Sequence, residues 1–324
     1  MRKFAHINAR TVEEATSYLK RYRGRAKVIA GGTDLIGKLK DVIMPNYPEA
    51  IINIKTIKGL DSIVQENGFL RVGALARLED IAVNQTVRRD YTALAEAAHR
   101  TASPHIREMG TLGGNICQDI RCWYYRNPNN RFPCLRKGGG RCYAIEGDNR
   151  YHSIFGGSVD GGCLAVHPSD TAPALIALGA RVKTSKRTIK AEDFFDVGVE
   201  KTTVLDSDEI VLAFQIPKPP KGAKSAFMKF ALRNTIDFAI VNCATRVSTS
   251  KGQVTEARIC LNAVYVVPYR PSGAEKAVLG KTLSEKNFAE AAREGVSSAK
   301  PVRHNRYMVP IAETLILRSL LACN

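Results

Sequence analysis

The sequence predicts an α+β protein built as two regions that meet at a proline cluster. Three observations carry that expectation. Short strand-like runs alternate with helical ones through the first 101 residues. After "IPKPPKGAK" (216–224), three strand-like runs are followed by helices, the pattern of a small sheet covered on one face. Between these lies a segment, residues 121–170, that reads as loop and holds four of the eight cysteines.

Taken in order, Thr11 and Glu14 form a capping box, and Val12, Ala15, Leu19 and Tyr22 recur at helical spacing, so residues 11–23 are predicted to be helical. Residues 28–30 are a short strand, the Gly-Gly pair at 31–32 is a turn, and a helix starts at Thr33. "IINIK" (51–55) is a strand, and "SIVQENGFLRVGAL" (62–75) a hairpin turning at Asn-Gly. Residues 78–101 are largely helical, 102–170 are loop-rich, and "TAPALIALGARVKTS" resumes regular structure. In the second region the strands are "AFMKFALR", "FAIVNCATRV" and "VTEARICLNAV". Helices follow near 273–279, at 287–299 and in "PIAETLILRSLLA".

With 44% hydrophobic and 24% charged residues among 324, the chain can bury a sizeable core. No run of 18 apolar residues exists, so no membrane insertion is expected. "MRKFAHINARTVEEA" has no apolar stretch of the signal-peptide kind, which predicts a cytoplasmic protein, periplasmic only if a partner carries the export signal. The cytoplasm keeps thiols reduced, so clustered cysteines point to metal rather than to disulfides. Cys243 and Cys260 sit in apolar strand-like runs and read as inert core thiols, and Cys323 is next to the chain end. The formal charge is +17, with basic clusters at Arg131, Arg136, Lys137 and Arg141 and over 218–224. Its spread along the chain suits an acidic partner or a phosphate-bearing cofactor better than nucleic acid.

Two glycine loops stand out. "IAGGTDLI" (29–36) puts two glycines between a strand and a helix start, where backbone can turn tightly and helix amides can face an anion. "GTLGGN" (110–115) repeats the device. Neither is GxGxxG nor GxxxxGK[ST], so neither a Rossmann domain nor a P-loop is indicated. Each alone reads as a plain turn; together, in a basic chain, they favour a diphosphate ligand.

Cys122, Cys134, Cys142 and Cys163 are separated by 11, 7 and 20 residues, with Cys117 just upstream. The absence of C-x-x-C speaks against a zinc ribbon, whose ligands come in close pairs. Four thiolates suit a tetrahedral zinc or an iron–sulfur cluster, and free thiols are the third reading. Metal binding would supply folding free energy where a loop has little apolar core.

With these motifs together, the chain resembles the FAD-binding (medium) subunits of xanthine dehydrogenase-type molybdenum hydroxylases. The resemblance covers nearly the whole chain. It rests on "VIAGGTDLI", "GTLGGNI", "PSDTAPALIALGARV" and "AFMKFALRNTIDFAIVNCA". In most of that family "GGNI" runs almost directly into "SD". The inserted cysteine loop resembles two subgroups with an extra 4Fe–4S cluster: the 4-hydroxybenzoyl-CoA reductase β subunit and the FAD subunit of a bacterial aldehyde oxidoreductase. Cys122, Cys134, Cys142 and Cys163 match the ligand positions there, and Cys117 does not.

The resemblance implies a two-lobed FAD-binding domain of the vanillyl-alcohol-oxidase (PCMH) type over 1–216, with the cluster-binding loop at 117–166. A small α/β domain of the CO dehydrogenase flavoprotein type follows over 217–324. Ile29, Ala30, Gly31, Gly32, Thr33, Asp34, Leu35 and Ile36 would wrap the FAD diphosphate, and Thr111, Gly114 and Asn115 would form a second cradle. Asp170 would bond the adenosine or ribityl part, with an ordinary helix N-cap as the plainer reading. Lys229 would lie near the isoalloxazine. Trp123, Tyr124 and Tyr125 would line a path or simply pack, and His167 would be structural. Basic residues near the cysteines would raise the cluster potential.

The implied partners are a large molybdopterin subunit and a small 2Fe–2S subunit in a dimer of heterotrimers, plus an external electron carrier such as ferredoxin or NAD. The resemblance puts 4-hydroxybenzoyl-CoA reductase-like chemistry first, and an aldehyde or purine/xanthine dehydrogenase second. A self-contained flavin oxidase would need a substrate cavity over the flavin. A zinc-stapled basic module would bind no flavin and show steep salt dependence with nucleic acid.

Overall fold

The computed structural model describes residues 1–159 and 162–324. Strands β1 (Ala5–Asn8), β2 (Ala26–Ile29) and β3 (Ala50–Asn53) make a parallel sheet in the order β1-β3-β2. Parallel neighbours need crossovers. Helix Val12–Tyr22 provides one, with Ala15 and Leu19 in an apolar cluster shared with Ala26 and Ile52. Its expected cap is present: Glu14 N donates to Thr11 Oγ1 at 3.1 Å, and the Glu14 carboxylate accepts from Arg10 N at 2.8 Å. The second crossover carries the first glycine loop and helix Leu35–Lys40.

The second lobe is a five-stranded antiparallel sheet of β4 (Ile63–Glu66), β5 (Phe69–Gly73), β6 (Arg181–Thr184), β7 (Thr188–Lys190) and β8 (Val211–Pro217), in the order β4-β5-β8-β6-β7. Asn67-Gly68 closes the predicted hairpin between β4 and β5. Helices Leu78–Val83, Gln85–Asp90, Thr92–His99 and Thr171–Ala177 join the sheet's core, where Tyr91, Leu94 and Leu175 are buried with Leu70, Val72 and Phe214.

The C-terminal sheet is antiparallel, β9 (Lys224–Phe230), β10 (Val241–Ser250) and β11 (Gln253–Asn262), with β10 in the centre. Alternate residues point to opposite faces. Val241, Cys243, Val247, Ile259 and Leu261 pack with Phe288, Ala291 and Ile316 of helices Glu285–Val296 and Met308–Leu321. Phe227, Ala244 and Cys260 instead enter the second lobe's core. The sheet is therefore covered on both faces, not on one as expected. The sign of this is the near-continuous burial of β10 from Val241 to Ser248, the pattern of a strand with no solvent face.

The loop-rich stretch contains two short helices, Pro104–Met109 and Leu112–Ile116, and two 3-10 turns, Pro128–Asn130 and Leu135–Lys137. It is docked on the C-terminal domain. Asn305 Nδ2 donates to His152 O and Ser153 O, both at 2.9 Å. His304 N donates to Asn149 Oδ1 at 2.9 Å, and Ile154 N to Val264 O at 3.0 Å. Among the described residues, no helix is long and apolar enough to cross a membrane.

Candidate functional site

The two glycine loops touch. A Cβ on Gly31 would lie 1.9 Å from Met109 O, so the first loop can press against the backbone leading into the second only with glycine there. Gly32 has φ +74°, which turns the chain into helix Leu35–Lys40, and Ile36 N donates to Gly32 O at 3.0 Å. Thr33 and Ile36 are exposed, while Ile29, Ala30 and Leu35 are half-buried. Beside the contact is a cleft of about 610 Å³ whose wall includes Lys55, Lys58, Leu75, Arg77, Met109 and Thr111. Lys55 Nζ donates to Ala30 O at 3.0 Å, and burial lowers its pKa. The volume lies within the usual range for ligand sites; the wall carries Lys55, Lys58 and Arg77 against two carboxylates, Asp61 and Glu108, the latter paired with Arg77 at 3.2 Å.

The second loop starts a helix instead of remaining a turn. Thr111 is its N-cap and accepts from Gly114 N at 3.1 Å. Asn115 Oδ1 accepts from Ser169 Oγ at 2.5 Å and from Thr171 Oγ1 at 2.7 Å, which ties this loop to the "PSDTAP" segment.

Asp34, at the end of the first glycine loop, turns toward the cysteine loop. Its carboxylate accepts from Arg126 at 2.7 Å, Arg121 at 2.9 Å and Asp119 N at 2.9 Å. Asp119 in turn pairs with Lys38 and accepts from Tyr125 OH at 2.5 Å. Lys38 and Arg126 hold the Asp119 carboxyl well below the usual carboxylate range despite its burial. None of Lys38, Asp119, Arg121 and Arg126 was expected from the sequence, since their pairing spans about 80 to 90 residues of chain.

Asp170 and Lys229 meet in the interior, 2.6 Å apart and with side chains 4% and 2% exposed. Lys229 also donates to Arg100 O at 3.0 Å. Asn242 Nδ2 donates to the other Asp170 oxygen at 2.7 Å. Asn262 Nδ2 donates to Ser169 O at 2.6 Å and lies 3.2 Å from His167 Nδ1. Lys229, Asn242 and Asn262 form one rung across β9, β10 and β11, so a single row of the sheet grips residues 167–170. Burial pushes the Asp170 carboxyl up, opposed by Lys229 and Asn242. Asp170 does not cap the helix after it; Ser169 Oγ does, accepting from Ala172 N at 3.0 Å. The two asparagines were missed by the sequence reading, although a polar residue breaking the apolar runs "AIVNCA" and "ICLNAV" was their signal.

The four cysteines of the loop come together. Cys122, Cys134, Cys142 and Cys163 line one pocket with Ile120, Tyr125 and Arg136. The pocket has about 280 Å³ of space between atoms, open in part to solvent, of which about 10 Å³ takes the centre of a water-sized sphere. Cys117 is not in its wall and packs against the second lobe. Among the described residues, no three His, Cys, Asp or Glu side chains form a group that could hold a metal ion. The expected ligands are gathered around a space but not closed on a point. A mononuclear zinc would need its sulfurs about 3.8 Å apart, from a Zn–S bond of about 2.3 Å.

The electrostatics of the pocket are one-sided. Burial pushes the Cys122 thiol up to about 12, and it raises Cys134 despite Lys137 nearby. Arg136 and Lys137 are both buried, and among the described residues Arg136 Nε and Lys137 Nζ have no hydrogen-bond partner. Among the described residues, no carboxylate appears in the pocket wall. The charge beside the thiols is therefore of one sign, positive, among the described residues. His152, which the sequence reading passed over, places Nε2 3.3 Å from Cys122 Sγ.

Comparison with known proteins gives the same picture from end to end. Residues 2–219 match the family described as the FAD binding domain in molybdopterin dehydrogenase. Residues 226–322 match the CO dehydrogenase flavoprotein C-terminal domain. The chain is 34% identical to the aldehyde oxidoreductase FAD-binding subunit of Escherichia coli, over 99% of this chain and 98% of that one. It is 26% identical to the carbon monoxide dehydrogenase medium chain of Hydrogenophaga pseudoflava, over 99% and 96%. A solved carbon monoxide dehydrogenase from that organism, lacking the Mo-pyranopterin moiety of its cofactor, superposes with TM-score 0.79 at 24% identity, covering 99% and 97% of the two chains.

Proposed function

The chain belongs to the family of FAD-binding subunits of the molybdenum hydroxylases, an oxidoreductase family, and from that premise we propose that it is a flavin electron-transfer subunit with an additional 4Fe–4S cluster. FAD supplies one- and two-electron exchange when bound; the chain's own part is to hold and orient it. The apposed glycine loops and the cleft beside them, with Lys55 and Lys58 in its wall, support FAD at Ile29–Ile36, Thr111, Gly114 and Asn115. In this reading Lys55 and Lys58 offset the phosphate charge. Asp170 and Lys229 bear on the flavin as a neutralised pair that sets the position of 167–170, not as two free contacts. The domain boundary is proposed at 216/217, with the cysteine loop over 117–166.

The observation that carries the cluster is the pocket lined by Cys122, Cys134, Cys142 and Cys163 with two buried cations beside it: Arg136, which donates to Gly198 O at 3.0 Å, and Lys137, whose Nζ has no hydrogen-bond partner among the described residues. A thiolate-ligated iron–sulfur cluster is negative and takes four cysteines. Its four irons take one cysteine each, so the ligands need not meet at one point as they must for zinc.

The partners in this proposal are a large molybdopterin subunit and a small 2Fe–2S subunit in a dimer of heterotrimers, with an external carrier such as ferredoxin or NAD, in the cytoplasm. The end-to-end similarity to an aldehyde oxidoreductase subunit favours a complex that oxidises its substrate and sends electrons outward. Kinship to 4-hydroxybenzoyl-CoA reductase, put first from the sequence, becomes the second reading. Anaerobic absorption spectra with iron and zinc analysis test the cofactors. Flavin bands with a broad shoulder near 400 nm, about four irons per chain, and loss of iron in Cys134→Ser are expected. Flavin with zinc and no iron would reduce the loop to a structural staple, and absence of flavin from every preparation would sink the whole reading. Turnover of the assembled complex with aldehydes against 4-hydroxybenzoyl-CoA separates the two substrate readings.

A further inference from the structure

We propose that His152 is a positioning residue for the cysteine-bound group, donating its Nε2–H to the sulfur of Cys122 and stabilising the more negative, reduced state. The inference rests on the cluster reading above. His152 Nε2 lies 3.3 Å from Cys122 Sγ, within the range of a hydrogen bond to sulfur, and the residue is 2% exposed. The backbone that carries the ring is held from two sides. His152 N donates to Asn149 O at 3.2 Å, and Asn305 Nδ2 grips His152 O from the C-terminal domain. Tyr124 stands beside the ring at 6.3 Å, and its hydroxyl accepts from Asp148 N at 2.6 Å, which closes the turn that carries His152.

The other ring nitrogen, Nδ1, has no partner among the described residues. A neutral imidazole has one N–H; a metal-bound thiolate, which can only accept, would draw it to Nε2, against the backbone of Asn149, the other acceptor that acts on the ring. A thiolate bound to metal is a better acceptor than a thiol. The bond therefore strengthens as negative charge on the group rises, and hydrogen bonds to sulfur are among the levers that set an iron–sulfur potential. Reduction adds one electron, supplied by dithionite in the experiment below. No covalent bond breaks, and His152 keeps its proton throughout. Lys137 reinforces the effect: among the described residues its ammonium has no hydrogen-bond partner, and it is near enough to Cys134 and Cys122 for their charges to act on it.

The test uses the full chain purified anaerobically, with dithionite titration followed by electron paramagnetic resonance. His152→Leu is expected to keep iron and to hold a reduced fraction about tenfold smaller at fixed potential, a downward shift of roughly 59 mV for one electron. His152→Gln retains an N–H donor and is expected to recover most of that shift. An unchanged midpoint in an iron-loaded His152→Leu protein would overturn the inference. So would an iron-loaded His152→Gln protein that falls as far as the leucine variant. If His152→Leu comes out without iron, the same comparison of His152→Ala with His152→Gln decides. A wild-type chain without iron would overturn the cluster reading itself, which separates that failure from this one.

Discussion

At the scale of single residues, the interior of this protein is organised by charges that have partners and a few that do not. The Asp170–Lys229 pair illustrates the first kind. Removing one member strands the other in the interior, which costs about 3–5 kcal/mol. Lys229→Met is expected to lower the unfolding free energy, read from urea titration, by that amount. Asp170→Asn should cost a similar amount, because its amide offers one acceptor oxygen to two donors, Lys229 and Asn242, and leaves the ammonium without a counter-charge. The double variant should be less damaged than the sum of the singles, and strict additivity in that cycle would show that the pair is not coupled. Residues of this kind were half legible. Asp170 and Lys229 each stood out in the motifs that carry the family resemblance, but nothing local says that residues 59 positions apart neutralise each other. His152 and Asn305 were invisible for the same reason, since their roles arise only where the loop lands on the C-terminal domain.

Elements follow the sequence more closely, because capping, turn chemistry and periodicity act within a few residues. The Thr11 cap, the Asn67-Gly68 hairpin and the three C-terminal strands all lie where those signals place them. Short strands escape the same logic. Thr188–Lys190 is three residues long, and its pairing partner in β6 decides its state. The first glycine loop yields the sharpest test at this scale. Gly31→Ala drives a Cβ into the Met109 carbonyl, and since that atom is backbone, the two loops must part. FAD affinity, read by quenching of flavin fluorescence, is expected to fall at least tenfold with the circular dichroism spectrum unchanged. Gly37→Ala is the control, for nothing lies within 4 Å of a Cβ there, and it should bind like wild type. Equal affinity of the two variants would remove the loop contact from the account of the site.

At the scale of the whole molecule, three sheets share two boundaries, and the cysteine loop is fastened across one of them. Its basic residues Arg131, Arg136, Lys137 and Arg141 are also trypsin sites. Asn305→Ala releases two carbonyls at 152 and 153, and the loop is expected to be cut several-fold faster at those residues than in wild type. Chelation of the metal should accelerate cutting in both proteins, because a loop with a small apolar cluster depends on its ligands. Cleavage rates indifferent to both changes would mean that neither the docking nor the metal orders the loop. The architecture at this scale was the least legible from periodicity. The C-terminal sheet was expected to have one covered face, yet Cys243 and Ala244, neighbours in sequence, are each fully buried in different cores.

That two-sided sheet also imposes an order in time. A ribosome releases the chain from its N-terminus, so both glycine loops and all four loop cysteines emerge before β9 exists. Yet the rung that holds residues 167–170 is complete only when Asn262 has left the exit tunnel, and the second lobe's helices keep a bare apolar side until β10 and β11 arrive to cover it. N-terminal folding units usually mature as they emerge. Here the first two lobes have their shared core and the 167–170 rung completed only by the last third of the polypeptide.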